Sequence, residues 1–271
     1  MFDFKERYDI HDLVKIVKVL RSENGCPWDK VQTHESIRSS LIEETYEVIE
    51  AIDLNDKALL LEELGDVLLQ VVFHSEIETE AENFNFDDVC NDICQKLIIR
   101  HPHVFGSVTV NGCDEVLTNW EQIKQQTKGQ TTFTETLRSV PKTLPALMKA
   151  QKIGKRAAKS GMDFKDISDA LNRLKSEIAE LEEAIAENDS ARINEELGDV
   201  LFSCTNVARK ADAESELLLT DASEKFIKRF EKTEQLIRLN EVDMKSLSID
   251  ELDAYWKQAK AQVNTENIGG K

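Results

Sequence analysis

The chain has 271 residues, of which 41% are hydrophobic, enough for a folded core; this excludes disorder throughout. The formal net charge is −18, which disfavours non-specific binding to nucleic acids because such binding needs a basic surface. The N-terminus lacks the apolar stretch of a signal peptide, and no run of about 18 apolar residues could cross a membrane. We therefore expect a cytoplasmic protein with no nucleic-acid or membrane partner.

Helical periodicity runs through almost the whole chain and predicts an all-α fold. The first apolar stripe at helical spacing consists of Ile10, Leu13, Val14, Val17 and Leu20. Further helices are predicted at about 33–54, from 57 to the low eighties, at 86–100, at 116–126 and at several places after 145. Pro102 is expected to end the helix at 86–100, since proline cannot continue a helix.

The sequence also contains an internal repeat. Residues 44–68 and 177–201 align without a gap and share more than half of their residues. The likeness continues downstream, where QKLIIR resembles EKFIKR and NWEQIK resembles YWKQAK. A series in the same order predicts two copies of one helical module. We place the N-terminal module at 1–126, a linker rich in polar residues and proline at 127–145, and the C-terminal module at 146–271.

Each copy contains two pairs of acidic residues, and the members of a pair are three residues apart. Such residues lie on one face of a helix, about one turn from each other. Asn55–Asp56 and Asn188–Asp189 favour turns, and each turn lies midway between the two pairs of its copy. An antiparallel hairpin then brings four carboxylates together. The first quartet is Glu44, Glu47, Glu63 and Asp66, and the second is Glu177, Glu180, Glu196 and Asp199.

Four converging carboxylates repel one another unless they are protonated, exposed to water or neutralised by a cation. Oxygen ligands suit hard ions, so the pattern predicts a site for Mg²⁺, with Mn²⁺ as an alternative. A solvated helix face would explain one acidic pair, but the repeated level pairs favour a metal site. A di-iron bundle would need Glu-x-x-His pairs, which are absent from the sequence. Gly65 and Gly198, between the last two ligands, are predicted to admit a neighbouring helix or a ligand.

Basic residues follow later in each copy. Lys96 and Arg100, and likewise Lys225 and Arg229, are spaced so as to share one helix face. They could form ion pairs on a helix surface, or they could bind a polyphosphate beside the metal site. The aromatic residues Trp120 and Trp256 could stack on a nucleobase or pack in the core.

The segments EETYE and EELGD, their second copy and the Lys-x-x-x-Arg pattern together resemble the MazG family of nucleoside triphosphate pyrophosphohydrolases. GCPWDK, RHPHVF and PALMKAQKIGKRAA are similar to segments of two-domain bacterial members. The resemblance implies tandem helical modules in a tight homodimer. It also implies Mg²⁺-dependent hydrolysis of nucleoside triphosphates to a monophosphate and pyrophosphate, by attack at the α-phosphate.

The resemblance further implies that the C-terminal module is catalytic and that its quartet binds the metal. Glu177 or Glu180 would accept a proton, while Lys225 and Arg229 would neutralise phosphate charge. Further nucleotide contacts are assigned to Arg173, Arg192, Glu195 and Trp256. Ser223 replaces an asparagine frequent in the family, which leaves the preferred base and sugar open. The alternatives are a helical scaffold and a nucleotide sensor without turnover.

Overall fold

The computed structural model describes residues 4–113, 115–116, 118–120, 123 and 131–266. The chain divides into two compact units, Met1–Lys124 and Gln125–Lys271. Helices are the only regular elements within the described ranges, so the predicted all-α class is confirmed. In those same ranges no helix combines the length and the apolar character needed to cross a membrane.

The first unit is built around a long helical hairpin. Its helices are α1 (Ile10–Arg21), α2 (Arg38–Asp53), α3 (Lys57–Glu80), α4 (Phe86–Arg100) and α5 (Pro102–Phe105), with a 3₁₀ turn at Asp29–Val31. α4 has the predicted bounds, and Pro102 opens α5 at its first position, where a proline costs no hydrogen bond. The helix predicted at 116–126 falls partly outside the described residues; positions 116, 118–120 and 123 are helical.

Helix α2 begins later than predicted, at Arg38 rather than near Thr33. The Thr33 amide donates to the Ser36 hydroxyl at 2.9 Å, and that hydroxyl contacts the Gln32 side chain at 2.7 Å. Side chains of this kind offer the backbone an alternative to the helix. Residues just before Arg38 therefore continue the helical spacing of the sequence, but local hydrogen bonds keep them in a turn outside the helix.

The hairpin turn between α2 and α3 lies where the sequence predicts it. Asn55 has a left-handed backbone with φ of 52°, which asparagine tolerates better than most residues. Asp56 caps α3, because its carboxylate accepts from the amides of Ala58 and Leu59. α1 packs on α3 over a core of Val17, Ile37, Val72 and Phe73.

A buried arginine fastens α1 to α3. Arg21 donates Nε and Nη2 to the two carboxylate oxygens of Glu80, at 2.8 and 2.7 Å. Its Nη1 donates to the carbonyls of Asp29 and Gln32, at 2.8 and 3.1 Å. The guanidinium also lies 5.0 Å from the centre of the Phe73 ring. A buried charge whose three nitrogens all donate hydrogen bonds fixes the hairpin against the N-terminal segment.

The second unit repeats the hairpin and adds helices on either side of it. Its helices are α6 (Phe133–Arg138), α7 (Ala146–Lys159), α8 (Ile167–Ala186), α9 (Ser190–Lys210), α10 (Ser215–Leu239) and α11 (Ile249–Glu266), with a 3₁₀ turn at Met244–Ser246. Asn188 has φ of 54°, and Asp189 caps α9, so the second predicted turn is also confirmed. α6 lies within the segment predicted as linker, whose residues 127–130 are outside the described ranges.

Helix α7 packs closely against α9 of the hairpin, and polar contacts join it to the start of α10. At Gly154 an added Cβ would lie 2.7 Å from Oδ1 of Asn206, so this crossing requires glycine or a shifted side chain. The buried Gln151 accepts from the amide and the hydroxyl of Ser215, at 2.7 and 2.6 Å. It also donates to the Ala213 carbonyl at 2.7 Å. These contacts join α7 to the start of α10.

Candidate active site

Three carboxylates of the second hairpin lie close together. Glu177 on α8 and Glu196 and Asp199 on α9 each offer an oxygen, and these oxygens all lie within 4.8 Å of one another. Glu177 and Glu196 are buried, whereas Asp199 is exposed. The hairpin turn determines this arrangement, because residues of α8 and α9 at equal distances from the turn lie opposite each other.

Glu180 lies outside the group of three. It is half-buried, and its carboxylate accepts from the Ser176 hydroxyl at 3.2 Å. It remains near enough for its charge to act on Glu196. The structure thus brings together three of the four carboxylates that the sequence places at this site, with the fourth at its margin.

The electrostatics of the cluster favour a bound cation or a proton. Burial raises the pKa of Glu196, and repulsion from Glu180 raises it further, while the charge of Arg192 partly opposes the shift. Asp199 adds a weaker repulsion in the same direction as Glu180. Burial and repulsion thus make the ionised form of Glu196 less stable than it would be in water.

The two arginines near the motif have different positions. Nε of Arg173 lies 2.7 Å from Oε1 of Glu177, and its Nη1 lies 3.9 Å from Oε1 of Glu180. Arg192 instead contacts Glu187 at 2.5 Å, near the end of the hairpin. Only Arg173 therefore contacts the cluster directly. Glu195, the remaining predicted nucleotide contact on α9, is exposed.

The later basic and aromatic residues lie on α10 and α11. Lys225 is exposed and has no ion pair with any residue that the structure describes, and Arg229 is half-buried one turn further on. Trp256 is half-buried, with its ring centre 5.0 Å from that of Phe226. α10 packs against α7, α9 and α11. The tryptophan thus has an aromatic contact with α10.

The first hairpin repeats the acidic cluster. Oxygens of Glu44, Glu63 and Asp66 lie within 4.8 Å of one another, while Glu47 is exposed at the margin. Burial raises the pKa of Glu44, and repulsion from Asp66 adds to the shift. Burial likewise raises the pKa of Glu63, with Glu47 as the next contributor. Both hairpins therefore present the same three-carboxylate arrangement.

The basic residues of the first unit have partners of their own. Lys96 contacts Asp92 at 2.8 Å, an ion pair along the exposed face of α4. The Arg100 guanidinium lies over the Trp120 ring, 5.2 Å from its centre. In the first unit the tryptophan thus contacts the arginine of the motif, whereas in the second it contacts a phenylalanine.

The first unit also contains a histidine pair that the sequence does not predict. Nδ1 of His34 lies 2.7 Å from Nδ1 of His74, and Nε2 of His34 lies 2.6 Å from Oε1 of Glu78. The sequence indicates that His74 and Glu78 share one face of α3, because they are four residues apart. Their contact with His34 depends on tertiary structure. The second copy has apolar residues at the matching positions: Ile167, Val207 and Ala211.

Neither of the two glycines between the ligands lies at a helix crossing within the described part of the chain. An added Cβ at Gly65 or Gly198 would meet no described atom within 4 Å. The predicted approach of a neighbouring helix is therefore wrong for the described part of this chain. The space beside each cluster is open to a ligand or to another molecule.

The residues of both clusters fit a hard divalent cation. Carboxylate oxygens are the ligands that such ions prefer. Each cluster has three such oxygens within 4.8 Å of one another, and these would hold the ion. The repulsion that raises the pKa of Glu196 would be offset by the charge of the ion.

Comparison with known proteins agrees with this arrangement. Residues 32–105 and 166–235 match the MazG nucleotide pyrophosphohydrolase domain, one segment on each hairpin. A nucleoside triphosphate pyrophosphohydrolase of Escherichia coli K12 is 41% identical over 93% of this chain and 97% of its own length. A nucleoside triphosphate pyrophosphohydrolase/pyrophosphatase MazG of Thermotoga maritima is 42% identical over 94% and 96%. The chain, with two matched segments and relatives aligned along nearly its whole length, belongs to the MazG family.

Proposed function

We propose that the protein hydrolyses nucleoside triphosphates to nucleoside monophosphate and pyrophosphate, and that the second hairpin is the catalytic one. The observation that carries the proposal is the cluster of Glu177, Glu196 and Asp199, with oxygens within 4.8 Å of one another and Arg173 in contact with Glu177. The names of the near-full-length relatives give the same reaction.

The cluster would hold Mg²⁺, or Mn²⁺ in its place, through Glu177, Glu196 and Asp199. When bound, the ion supplies a Lewis acid for phosphate oxygens and lowers the pKa of water. The burial of Glu177 and Glu196 limits their movement, which suits ligands that must position a cation. Asp199 is exposed and marks the side of the cluster that a substrate can reach.

Water attacks the α-phosphorus, and the bond from that phosphorus to the bridging oxygen of pyrophosphate breaks. The proton of the attacking water passes to Glu180, which lies beside the cluster but outside the group of three. Its carboxylate is partly exposed, so the protonated form can return its proton to solvent after each turnover.

Lys225 and Arg229 receive the phosphates. Both lie on one face of α10, and Lys225 has no acidic partner among the described residues that would compete with a phosphate. A triphosphate is strongly anionic, and charged hydrogen bonds of this kind contribute about 1.5–3 kcal/mol each. The pair of Trp256 and Phe226 offers an aromatic surface for the base next to Lys225.

The active form is proposed to be a homodimer in the cytoplasm, where its substrates are found. Leu197 and Leu201 on α9 are 44% and 58% exposed, so the apolar face of this helix is not covered within the described part of the chain. A second copy would cover it, since exposed apolar faces mark interfaces. Sedimentation at micromolar concentration tests this, and a stable monomer contradicts it.

The reaction is tested by measuring pyrophosphate and monophosphate from a mixed pool of nucleoside triphosphates, with Mg²⁺ and with a chelator. We expect equal amounts of the two products, formed only with the metal. Release of inorganic phosphate instead would mean attack at the γ-phosphate. Nucleotide binding without any product would identify a sensor, and absence of both binding and product would identify a scaffold.

A further inference from the structure

The second cluster already contains a cation of its own. Nε of Arg173 lies 2.7 Å from Oε1 of Glu177, a carboxylate that is 5% exposed and belongs to the group of three. The same guanidinium lies 3.9 Å from Glu180 at the margin. The arginine side chain is 53% exposed, so it lies over the cluster from the solvent side.

This contact places the guanidinium where it opposes a second cation. An ion bound by Glu177 would lie next to the positive charge of Arg173, and like charges at such distances repel. The divalent ion must therefore displace the guanidinium or bind against its repulsion. Because Arg173 is half exposed, it can rotate away into water without disturbing the packing of α8.

The first hairpin provides the comparison. Ser40 occupies the position that matches Arg173. Among the described residues, no lysine or arginine forms an ion pair with Glu44, Glu47, Glu63 or Asp66. The two clusters therefore share their acids but differ in whether a basic side chain neutralises them.

We propose that Arg173 is an exchangeable counter-cation: it neutralises Glu177 in the metal-free protein, is displaced by the divalent ion, and then contacts the phosphates of the nucleotide. The inference rests on the proposed function for the identity of the nucleotide. Arg173 weakens binding of the metal alone and strengthens binding of metal and nucleotide together.

This exchange couples the two ligands. The nucleotide supplies a new anionic partner for the displaced guanidinium, so metal binding costs less when nucleotide is present. By linkage, the metal must then strengthen nucleotide binding by the same factor. The first hairpin has no such device, so its affinity for a divalent ion should depend less on nucleotide.

The test measures Mn²⁺ binding by electron paramagnetic resonance, with and without an α,β-methylene triphosphate that cannot be hydrolysed. All variants carry Glu63→Gln and Asp66→Asn, so that the second hairpin provides the binding signal. Arg173→Ser, which copies the first hairpin, should bind Mn²⁺ alone about two- to fivefold more tightly, the range of a half-exposed ion pair. Its affinity for the analogue should fall, and the coupling factor should decrease, although contact of the ion with phosphate oxygens keeps it above one.

Lys175→Ser is the matched control, because it removes the same charge from an exposed position two residues along α8. It should leave the coupling factor unchanged. Arg173→Lys keeps the charge and should restore weaker binding of Mn²⁺ alone. A circular dichroism spectrum equal to that of the parent verifies folding. Unchanged or weaker Mn²⁺ binding in Arg173→Ser, relative to Lys175→Ser, would overturn the proposal, as would absence of Mn²⁺ binding by the parent.

The reverse exchange gives a second test. In this test all variants carry Glu196→Gln and Asp199→Asn instead of the changes at Glu63 and Asp66, so that the first hairpin provides the binding signal. Ser40→Arg should then weaken Mn²⁺ binding. These measurements stand apart from turnover. If pyrophosphate is released but Arg173→Ser leaves Mn²⁺ binding unchanged, only the exchange is wrong. If the Mn²⁺ results hold but no pyrophosphate is released, only the proposed reaction is wrong.

Discussion

In the first hairpin the cluster of Glu44, Glu63 and Asp66 has no basic side chain in ion-pair contact among the described residues. In the second, Arg173 lies 2.7 Å from Glu177, and burial and repulsion raise the pKa of Glu196 while the charge of Arg192 partly opposes that rise. The acids and their spacing are otherwise the same. The repeat therefore preserves the positions of the acidic residues, while residues outside the acidic motif determine the net charge around them.

The acidic residues have the same positions in both hairpins because a small number of local features determines those positions. An asparagine with a left-handed backbone and a capping aspartate form each turn, at Asn55–Asp56 and Asn188–Asp189. The turn fixes which residues of the two helices lie level. Once the hairpin is closed, acids at matching distances from the turn must meet, whatever lies around them.

The largest expected effect tests whether this charge difference separates an active site from an inactive one. Glu196→Ala with Asp199→Ala should lower turnover at least about a hundredfold, because metal supplies several kcal/mol of charge stabilisation. The matched pair Glu63→Ala with Asp66→Ala should leave most of the activity. Pyrophosphate release measures both, and circular dichroism should give unchanged helix content. Equal losses would mean that the two hairpins act together, and the reverse order would move the active site to the first.

A second prediction compares how neighbouring helices are joined in each unit. In the first unit the charged Arg21 joins α1 to α3 of the hairpin, and in the second the neutral amide of Gln151 joins α7 to the start of α10. Gln151→Leu should lower the free energy of unfolding by about 1–3 kcal/mol, because it leaves the buried amide of Ser215 without its acceptor. Denaturation in urea measures this. Lys152→Leu, at the exposed neighbouring position, is the control and should cost little. Equal stability of the two variants would contradict the fastening role.

The third prediction uses the glycines beside the clusters. Gly65→Ala and Gly198→Ala should each stabilise the protein by up to about 1 kcal/mol, since the added methyl meets no described atom and alanine favours helix. If only the second cluster is catalytic, Gly198→Ala should slow turnover by crowding the open side, and Gly65→Ala should not. Thermal unfolding and pyrophosphate release separate the two effects. Destabilisation by both changes would show that a partner molecule fills this space.

The sequence predicts most of this fold because its determinants are local. Helical spacing, the two turns and the acidic quartets follow from residues close together in the chain. The predicted start of α2 was wrong because the side chains of Thr33 and Ser36 compete with the helix. In each quartet three carboxylates lie close together, while Glu47 or Glu180 lies outside the group. The distance of a residue from the turn sets its position along the hairpin, but it does not determine the direction of its side chain.

Contacts between distant residues could not be predicted in the same way. Trp120 and Trp256 occupy matching positions, yet one lies beneath Arg100 and the other against Phe226. Leu97 matches Phe226 in the first copy, so the aromatic partner is absent there. His34 and His74 are forty residues apart, and no periodic pattern connects them.

The smallest expected effect concerns that histidine pair, which only the first unit has. Burial lowers the pKa of His74, and the charge of His34 lowers it further. Hydrogen bonds from Asn83 and His34 lower the pKa of Glu78. Two nitrogens 2.7 Å apart can share one proton but cannot both carry one, because one must accept the hydrogen bond.

The sign of the pH dependence follows from these shifts. Below the ordinary value of 6.5, the unfolded chain takes up a proton at His74 before the folded chain does, so stability falls as pH falls through this range. The contribution of Glu78 is present above 4.5 and is lost as pH falls through its lower folded value. Glu44, Glu63 and Glu196 change stability in the opposite direction, because burial and repulsion raise the pKa of each. As the pH falls towards 4.5, the folded chain takes up these protons before the unfolded chain does, and its stability increases.

A substitution that copies the second unit separates these contributions. His74→Val introduces the residue found at the matching position, Val207, and should remove the loss of stability just below pH 6.5 while leaving the carboxylate contributions in place. The difference between the parent and the variant should be smaller than about 1 kcal/mol, since the pair is partly exposed. Urea denaturation of the full chain at about pH 7.5, 6.0 and 5.0, on either side of the ordinary histidine value, measures it, with His103→Val as the control on α5. A parallel pH dependence in the parent and His74→Val would mean that the pair is not what makes the first unit sensitive to acid.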